Sequence, residues 1–538
     1  MKFSRLFSKF ISAMICCLLI FQGVSAFAFF SVKVTKNNTE FALKAAEIVS
    51  SDSKPAHGTQ LASVNEMLRI LGKTSRTDCN FARFGASAAV VNSDGRFLLQ
   101  FNDKNSFDKC LARLNSDPSI IYAEKDRLVY TCASESEKDG DLSWGVDALG
   151  VGDYADRIEY SPDANVTVAI VDSGVASVDF VKDKLVEGYD FIENEKGGAV
   201  DESIDSHGTF LASIVADCVK NSAVSIMPVR VLSSRTGSLV NAVNGIYYAA
   251  DNGADVINVS LGGVMNNCRS LDDAVAYAES KNVSVVVCAG NSKQDIYNYC
   301  PAHNESAITV TAVDSDLEFA ADFIPDGNSV YGSNFGKNVD VCAPGVNIIG
   351  YGADGNQKIL SGTSMSAAFV SACAALVRLE NPGYTSSKVQ EKIKESCTDL
   401  GDEGFDVYYG YGLPDMTKIV ADTTPDNPDD TPDDIPPAAP QLTGVSIKTL
   451  PEKTNYTYKV DGDIDLKGLT LEAKYSDGST VIVADTSKMN VSGYSATTAG
   501  EQTVTVGYEG FSVRYSVSVE YTWWQWIIRI LLLGFLWY

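Results

Sequence analysis

Five short runs, at 166–171, 225–232, 256–260, 283–289 and 307–313, are almost entirely apolar and rich in β-branched residues. Helix-like stretches near 207–218, 239–251 and 271–281 lie between them. A strand that is apolar on both faces has to be covered on both, and strands that alternate with helices pair in parallel. This part of the chain is therefore expected to form an α/β fold, a doubly wound parallel sheet. Such sheets bind ligands beyond the carboxyl ends of their strands, where Asp172 and Asn291 both fall.

Gly362-Thr363-Ser364-Met365-Ser366 opens a long run of small apolar residues and puts a hydroxyl where a strand gives way to a buried helix. A serine hydroxyl is a poor nucleophile at neutral pH unless a base and an orienting acid lie nearby. Candidates for both are present: the run at 166–171 ends in Asp172-Ser173-Gly174, and Ser206-His207-Gly208-Thr209 starts an apolar helical stretch. The chain has three histidines. His57 and His303 read as solvated surface residues, which leaves His207 as the base; an imidazole pKa of about 6.5 suits that task. Taken singly these residues have plainer readings, Asp172 as a helix N-cap and His207 as a capping or core histidine.

Asp, then His, then Ser is the chain order of the subtilisin family of serine proteases. The resemblance is carried further by Asn258-Val259-Ser260-Leu261-Gly262-Gly263, Cys288-Ala289-Gly290-Asn291, Tyr331-Gly332-Ser333-Asn334-Phe335-Gly336, Ala343-Pro344-Gly345 and Tyr409-Gly410-Tyr411-Gly412-Leu413, in the right order over 139–421. It implies an endopeptidase in which Ser364 attacks, His207 takes its proton and Asp172 holds the imidazole in the required tautomer. The Asn291 amide and the Ser364 backbone N–H would meet the oxyanion, and Ser260, Leu261 and Gly262 would form a strand edge to which substrate adds. Without the rest of the pattern, the 260–262 segment reads as ordinary strand termination. The chemistry requires no cofactor and no metal is assigned; structural calcium is frequent in the family, but the sequence holds no ligand cluster specific enough to place one. Ala368 and Phe369 stand where the family usually has Pro and His, and Phe210-Leu211-Ala212-Ser213 where it has His-Val-Ala-Gly. These departures bear on helix packing and specificity, not on the reaction.

Two rival classes fit the sequence less well. A catalytically dead surface protein is disfavoured because all four catalytic positions are filled. A nucleotide-binding enzyme is disfavoured because no Gly-x-Gly-x-x-Gly opens a helix after a strand.

At 538 residues several domains are expected. The net charge of −26 argues against a nucleic-acid partner and suits a solvated extracellular surface. Residues 1–28 read as a signal peptide: Lys2, Arg5 and Lys9 precede an apolar run at 10–21, and Ala26-Phe27-Ala28 supplies small residues for cleavage. The protein is therefore expected to be secreted, extracellular or held at the cell surface.

Residues 29–131 are expected to form a small α+β propeptide. Its close, Ser119-Ile120-Ile121-Tyr122-Ala123-Glu124-Lys125-Asp126, is similar to that of the family's inhibitory propeptides, whose extended tail lies in the protease's own cleft. An unrelated α+β domain is the alternative. The polar stretch at 131–141 reads as an exposed loop suited to cleavage, and self-processing is expected between about residues 130 and 143.

Residues 422–440, rich in Asp, Pro and Thr, read as an extended acidic linker. Alternating short runs over 441–521 predict a β-sandwich that resembles the bacterial immunoglobulin-like domains, a spacer in preference to a binding module. Residues 523–538 form an apolar tail with aromatics at both ends and Arg529 in the middle. The tail is short for a span, so a shallow membrane anchor and a span both stand, against packing on a partner protein. Ten of the twelve cysteines lie beyond residue 28. Spacing does not fix their connectivity; Cys79 with Cys110 and Cys268 with Cys300 are candidate bridges, and Cys288 and Cys373 read as disulfide partners or as buried thiols.

Overall fold

The structure is a computed structural model, and it describes residues 32–52, 67–75, 85–135, 144–201, 203, 205–220, 222–265, 268–323, 330–419, 442–462, 464–475, 479–484, 486, 489–492, 494–508 and 511–525. The chain divides into two compact units, Met1–Asp422 and Thr423–Tyr538. The expected signal peptide, the linker, Cys79, His57 and the tail from residue 526 onward lie outside the described residues.

The centre of the first unit is an eight-stranded sheet in the order Glu195–Lys196, Tyr189–Asp190, Val224–Arg230, Val166–Asp172, Val256–Val259, Ser284–Cys288, Ile308–Val313 and Val341–Pro344. Every pairing is parallel except the first. The β-branched runs are buried along their whole length, as strands covered on both faces must be. Two helix pairs cover the sheet, His207–Val219 with Thr363–Glu380 and Leu239–Asp251 with Arg269–Ser280. From Val166–Asp172 the chain crosses first to Val224–Arg230 on one side and then to Val256–Val259 on the other, so the strand order reverses beside Asp172. That reversal opens the crevice at the carboxyl ends.

The bulk of Phe210 and Phe369 in the helices His207–Val219 and Thr363–Glu380 is matched by glycine opposite. A Cβ at Gly145 would lie 2.5 Å from the Phe369 ring, and one at Gly350 would lie 2.9 Å from the Phe210 ring. Phe369 and Phe210 therefore fit because their neighbours have no side chain.

The N-terminal part is a five-stranded sheet, Val32–Thr35, Ala88–Asn92, Arg96–Gln100, Arg69–Thr74 and Ile120–Lys125, with helices Asn38–Asp52 and Lys104–Asn115. It docks on the N-terminal ends of two helices that cover the eight-stranded sheet. Glu124 accepts from Ser270 N (2.9 Å) at the start of Arg269–Ser280. Asp126 accepts from Ser238 Oγ (3.0 Å) and Val240 N (3.3 Å) at the start of Leu239–Asp251, and from Arg69 Nε (2.7 Å). Carboxylates placed there satisfy helix N–H groups and complement the helix dipole. The Arg96 guanidinium stacks 3.5 Å from the Tyr247 ring centroid.

In the second unit Leu442–Thr449, Thr470–Tyr475 and Thr480–Val483 form one sheet. Asn455–Thr457, Phe511–Glu520, Gly500–Tyr508 and Asn490–Ser492 form the other. Leu471, Ala473, Val504, Val506, Val517 and Val519 fill the space between them. The strands at 480–483 and 490–492 are additions to the sequence reading. No helix among the described residues is long and apolar enough to cross a membrane. Trp523 and Trp524 are exposed and packed ring to ring.

Candidate active site

Asp172 ends its strand, and its Oδ1 accepts from Ser173 N (2.7 Å) and pairs with His207 Nδ1 (2.8 Å). His207 opens the helix His207–Val219. Asp201 secures that helix start by accepting from Thr209 N (3.0 Å) and Thr209 Oγ1 (2.8 Å), and Ser173 Oγ accepts from Gly208 N (2.9 Å). Residue 208 has to be glycine, since a Cβ there would lie 2.1 Å from Gly174 O. Burial works against a charged His207, but the Asp172 carboxylate, by charge and by hydrogen bond, and Asp205 beyond it raise the imidazole pKa above its ordinary 6.5.

Ser364 lies in the first turn of the helix Thr363–Glu380. Asp172, His207 and Ser364 are all 0% exposed, because the chain itself covers them. The strand Leu128–Thr131 lies between two edges: Tyr130 and Thr131 pair antiparallel with Gly262 and Leu261, and Leu128, Val129 and Tyr130 pair with Ser238, Gly237 and Thr236. Cys132 N donates to Ser260 O (3.4 Å). The Cys132 carbonyl accepts from Ser364 Oγ (2.7 Å) and Ser364 N (3.3 Å). Past it, Ser134 and Glu135 pair with Ser361 and Leu360.

The structure thus brings Asp172 and His207 together but turns the Ser364 hydroxyl onto the Cys132 carbonyl and Ser260 O (3.3 Å). His207 Nε2 has no partner among the described residues. Asn291 is fixed by its Oδ1, which accepts from Thr363 N (3.1 Å) and Thr363 Oγ1 (2.8 Å). A Cβ on Gly362 would lie 2.3 Å from the Cys132 carbonyl oxygen and 2.9 Å from Asn291 Nδ2, so glycine at 362 lets both approach the same spot.

Two expectations change. Residues 132–135 are not an exposed loop: Cys132 is 2% exposed, and the next residues are strand-paired, because the groove satisfies their backbone groups. His303 is not a free surface residue, since its Nε2 lies 3.2 Å from Asp272 Oδ1 and it is only partly exposed. The edge Thr236-Gly237-Ser238 escaped the sequence reading; its signal was three small residues just before a helix.

A profile of the subtilase family matches residues 163–412, and one of a bacterial Ig-like domain (group 3) matches residues 449–520. Subtilisin DY of Bacillus licheniformis is 34% identical over 262 residues, covering 46% of this chain and 89% of that protein. The chain belongs to the subtilase family. This subtilase is a serine endopeptidase of the subtilisin kind. Thermitase of Thermoactinomyces vulgaris is 35% identical over 263 residues, 47% of this subtilase and 88% of thermitase. Alkaline serine exoprotease A of Vibrio alginolyticus is 34% identical over 295 residues, and the subtilase spans about half (52%) of its length. A solved cold adapted subtilisin-like serine proteinase shares 29% identity at a TM-score of 0.41, covering 51% of this subtilase and 98% of that chain.

Proposed function

We propose that this subtilase is an exported, self-processing endopeptidase in which Ser364 is the nucleophile, His207 the general base and Asp172 its orienting acid. Asn291 and the Ser364 N–H are the oxyanion donors, and Ser260, Leu261 and Gly262 bind substrate main chain. The observation that carries this reading is the Cys132 carbonyl, which accepts from the Ser364 hydroxyl and N–H at the start of an 18-residue helix while the peptide on either side is held as strand. A carbonyl in that position faces backbone N–H groups and the positive end of the helix dipole. The bond it belongs to, Cys132–Ala133, is the one the chain would cut in itself.

In the reaction the Ser364 hydroxyl turns to His207 Nε2, gives up its proton and adds to the Cys132 carbonyl carbon. The carbonyl oxygen becomes an oxyanion beside Asn291 Nδ2 and the Ser364 N–H. His207 passes the proton to the Ala133 nitrogen as the C–N bond breaks, leaving Cys132 as an ester on Ser364 and a new amino terminus at Ala133. A water deprotonated by His207 then hydrolyses the ester and restores the serine. The released segment keeps its strand pairings and so remains an inhibitor until displaced; protein substrates add to the same edges.

Export rests on the basic and apolar pattern of residues 1–28, and cell-surface retention rests on the apolar tail. Structural calcium is proposed from the family resemblance alone. Among the described residues the one cluster of three candidate ligands is Cys268, Cys300 and His303, a sulfur-rich set whose two cysteines are joined by a disulfide.

The test is expression of the full chain beside its Ser364→Ala variant. The native chain should yield a product beginning at Ala133, and the variant should keep its N-terminal segment. Turnover should fall by about 10⁶, the loss measured for the same substitution class in subtilisin itself. Maturation of the purified variant would refute self-processing, and its normal digestion of casein would refute the role of Ser364.

A further inference from the structure

The side chain of Cys132 shows what precedes the scissile bond. Its Sγ lies 3.3 Å from Tyr299 Oη, and the Cys288 thiol at the end of Ser284–Cys288 is close enough to act on it electrostatically. All three are buried, with Tyr299 only 6% exposed. The Tyr299 ring lies against the backbone at Gly290 and at Gly262. A Cβ at Gly290 would lie 2.5 Å from its Cζ, and one at Gly262 would lie 3.0 Å from its Cε1. At Gly290 the ring leaves no room for a Cβ, and at Gly262 it leaves only a tight contact.

The ring is also tied at its backbone. Tyr299 and Cys300 pair with Val264 and Gly263, Cys300 is bonded to Cys268, and Tyr299 O accepts from His303 N (3.1 Å). One heavy atom beyond Cβ thus brings a side chain into contact with the tyrosine hydroxyl, and a longer one would have to drive a packed ring out of its site.

We infer that Tyr299 closes the pocket for the residue before the scissile bond, so that this endopeptidase cuts after cysteine, serine or alanine and rejects larger side chains. The inference rests on Ser364 being the nucleophile, since that places Cys132 before the bond. Tyr299 is a specificity residue that touches substrate, and its hydroxyl can exchange a hydrogen bond with a thiol or an alcohol but not with a methyl group.

The experiment is a peptide series spanning residues 128–135 with position 132 varied, assayed with the mature enzyme. Cys, Ser and Ala peptides should be cut with kcat/KM about 100-fold or more above Leu and Phe peptides. Tyr299→Gly should raise the Leu and Phe rates by about 100-fold while changing Ala by less than about tenfold. In the full-length chain, Cys132→Phe should stall processing at Ala133, Cys132→Ser should not, and Tyr299→Gly should rescue Cys132→Phe. Tyr299→Phe keeps the ring and decides the matter if Tyr299→Gly fails to fold: it should still reject Leu and Phe but lose the advantage of Cys and Ser over Ala. Equal cleavage of Phe and Cys peptides by the native enzyme, or an unchanged ratio in a folded Tyr299→Gly enzyme, overturns the inference alone. Cleavage of no peptide, with Ser364 unlabelled by a phosphonylating reagent, overturns the underlying reading and the inference with it.

Discussion

His207 and Asp172 show how burial and charge compete at one side chain. Desolvation alone would lower the imidazole pKa, yet the Asp172 carboxylate 2.8 Å away brings the balance above 6.5. As the proposed base, His207 must be neutral to accept the serine proton, so activity is lost as pH falls below that raised value and regained as pH rises through it. A pH profile of kcat/KM should therefore show an inflection above 6.5. Asp172→Asn should move the inflection down and cut kcat by about 10⁴, the loss seen when the equivalent acid of a related triad is neutralised. An unmoved inflection in the variant would mean that another group sets the profile. The proposed base, its acid and the proposed nucleophile were legible in the sequence as candidates, because each sits at the end of a strongly patterned element. Tyr299 was not, because its meaning depends on Gly262 and Gly290 facing it from other parts of the chain.

The N-terminal ends of catalytic-domain helices recur as contact points. Leu239–Asp251 and Arg269–Ser280 receive Asp126 and Glu124 of the N-terminal sheet, and Thr363–Glu380 receives the Cys132 carbonyl. Glu124 is the costly member of the set: burial raises its carboxyl pKa above 4.5, against the opposing hydrogen bond from Ser270 N. A carboxyl raised on folding contributes stability in full below its unfolded pKa and loses that contribution as pH rises through the folded value. Glu124→Gln in the Ser364→Ala chain should therefore raise the melting temperature at pH 7–8 and change it little near pH 4, as read by thermal unfolding. A lower melting temperature at pH 7–8 would show that the charge itself is needed for docking. The strands and helices of the catalytic domain followed from β-branched runs and helical periodicity. The strand Leu128–Thr131 and the pair at Ser134 and Glu135 did not, because they are strands only by virtue of the edges beside them.

The chain carries an α/β protease unit and an immunoglobulin-like unit, with an acidic, proline-rich stretch of sequence between them. If the apolar tail holds the enzyme at the cell surface, truncation after Glu520 should release active protease into the medium with unchanged peptide kinetics. Equal retention of the truncated and full-length chains, followed by cell fractionation, would show that the tail is not the anchor. The sequence by itself determined the fold class and the family and marked the candidate reactive residues, because period, chain order and motif are local properties of the chain. Only the tertiary structure decided which peptide bond lies against Ser364 and how small the side chain before it must be. Both depend on distances between residues 128–135, 260–262, 290, 299 and 362, and the separations between these along the chain do not determine how they meet in space.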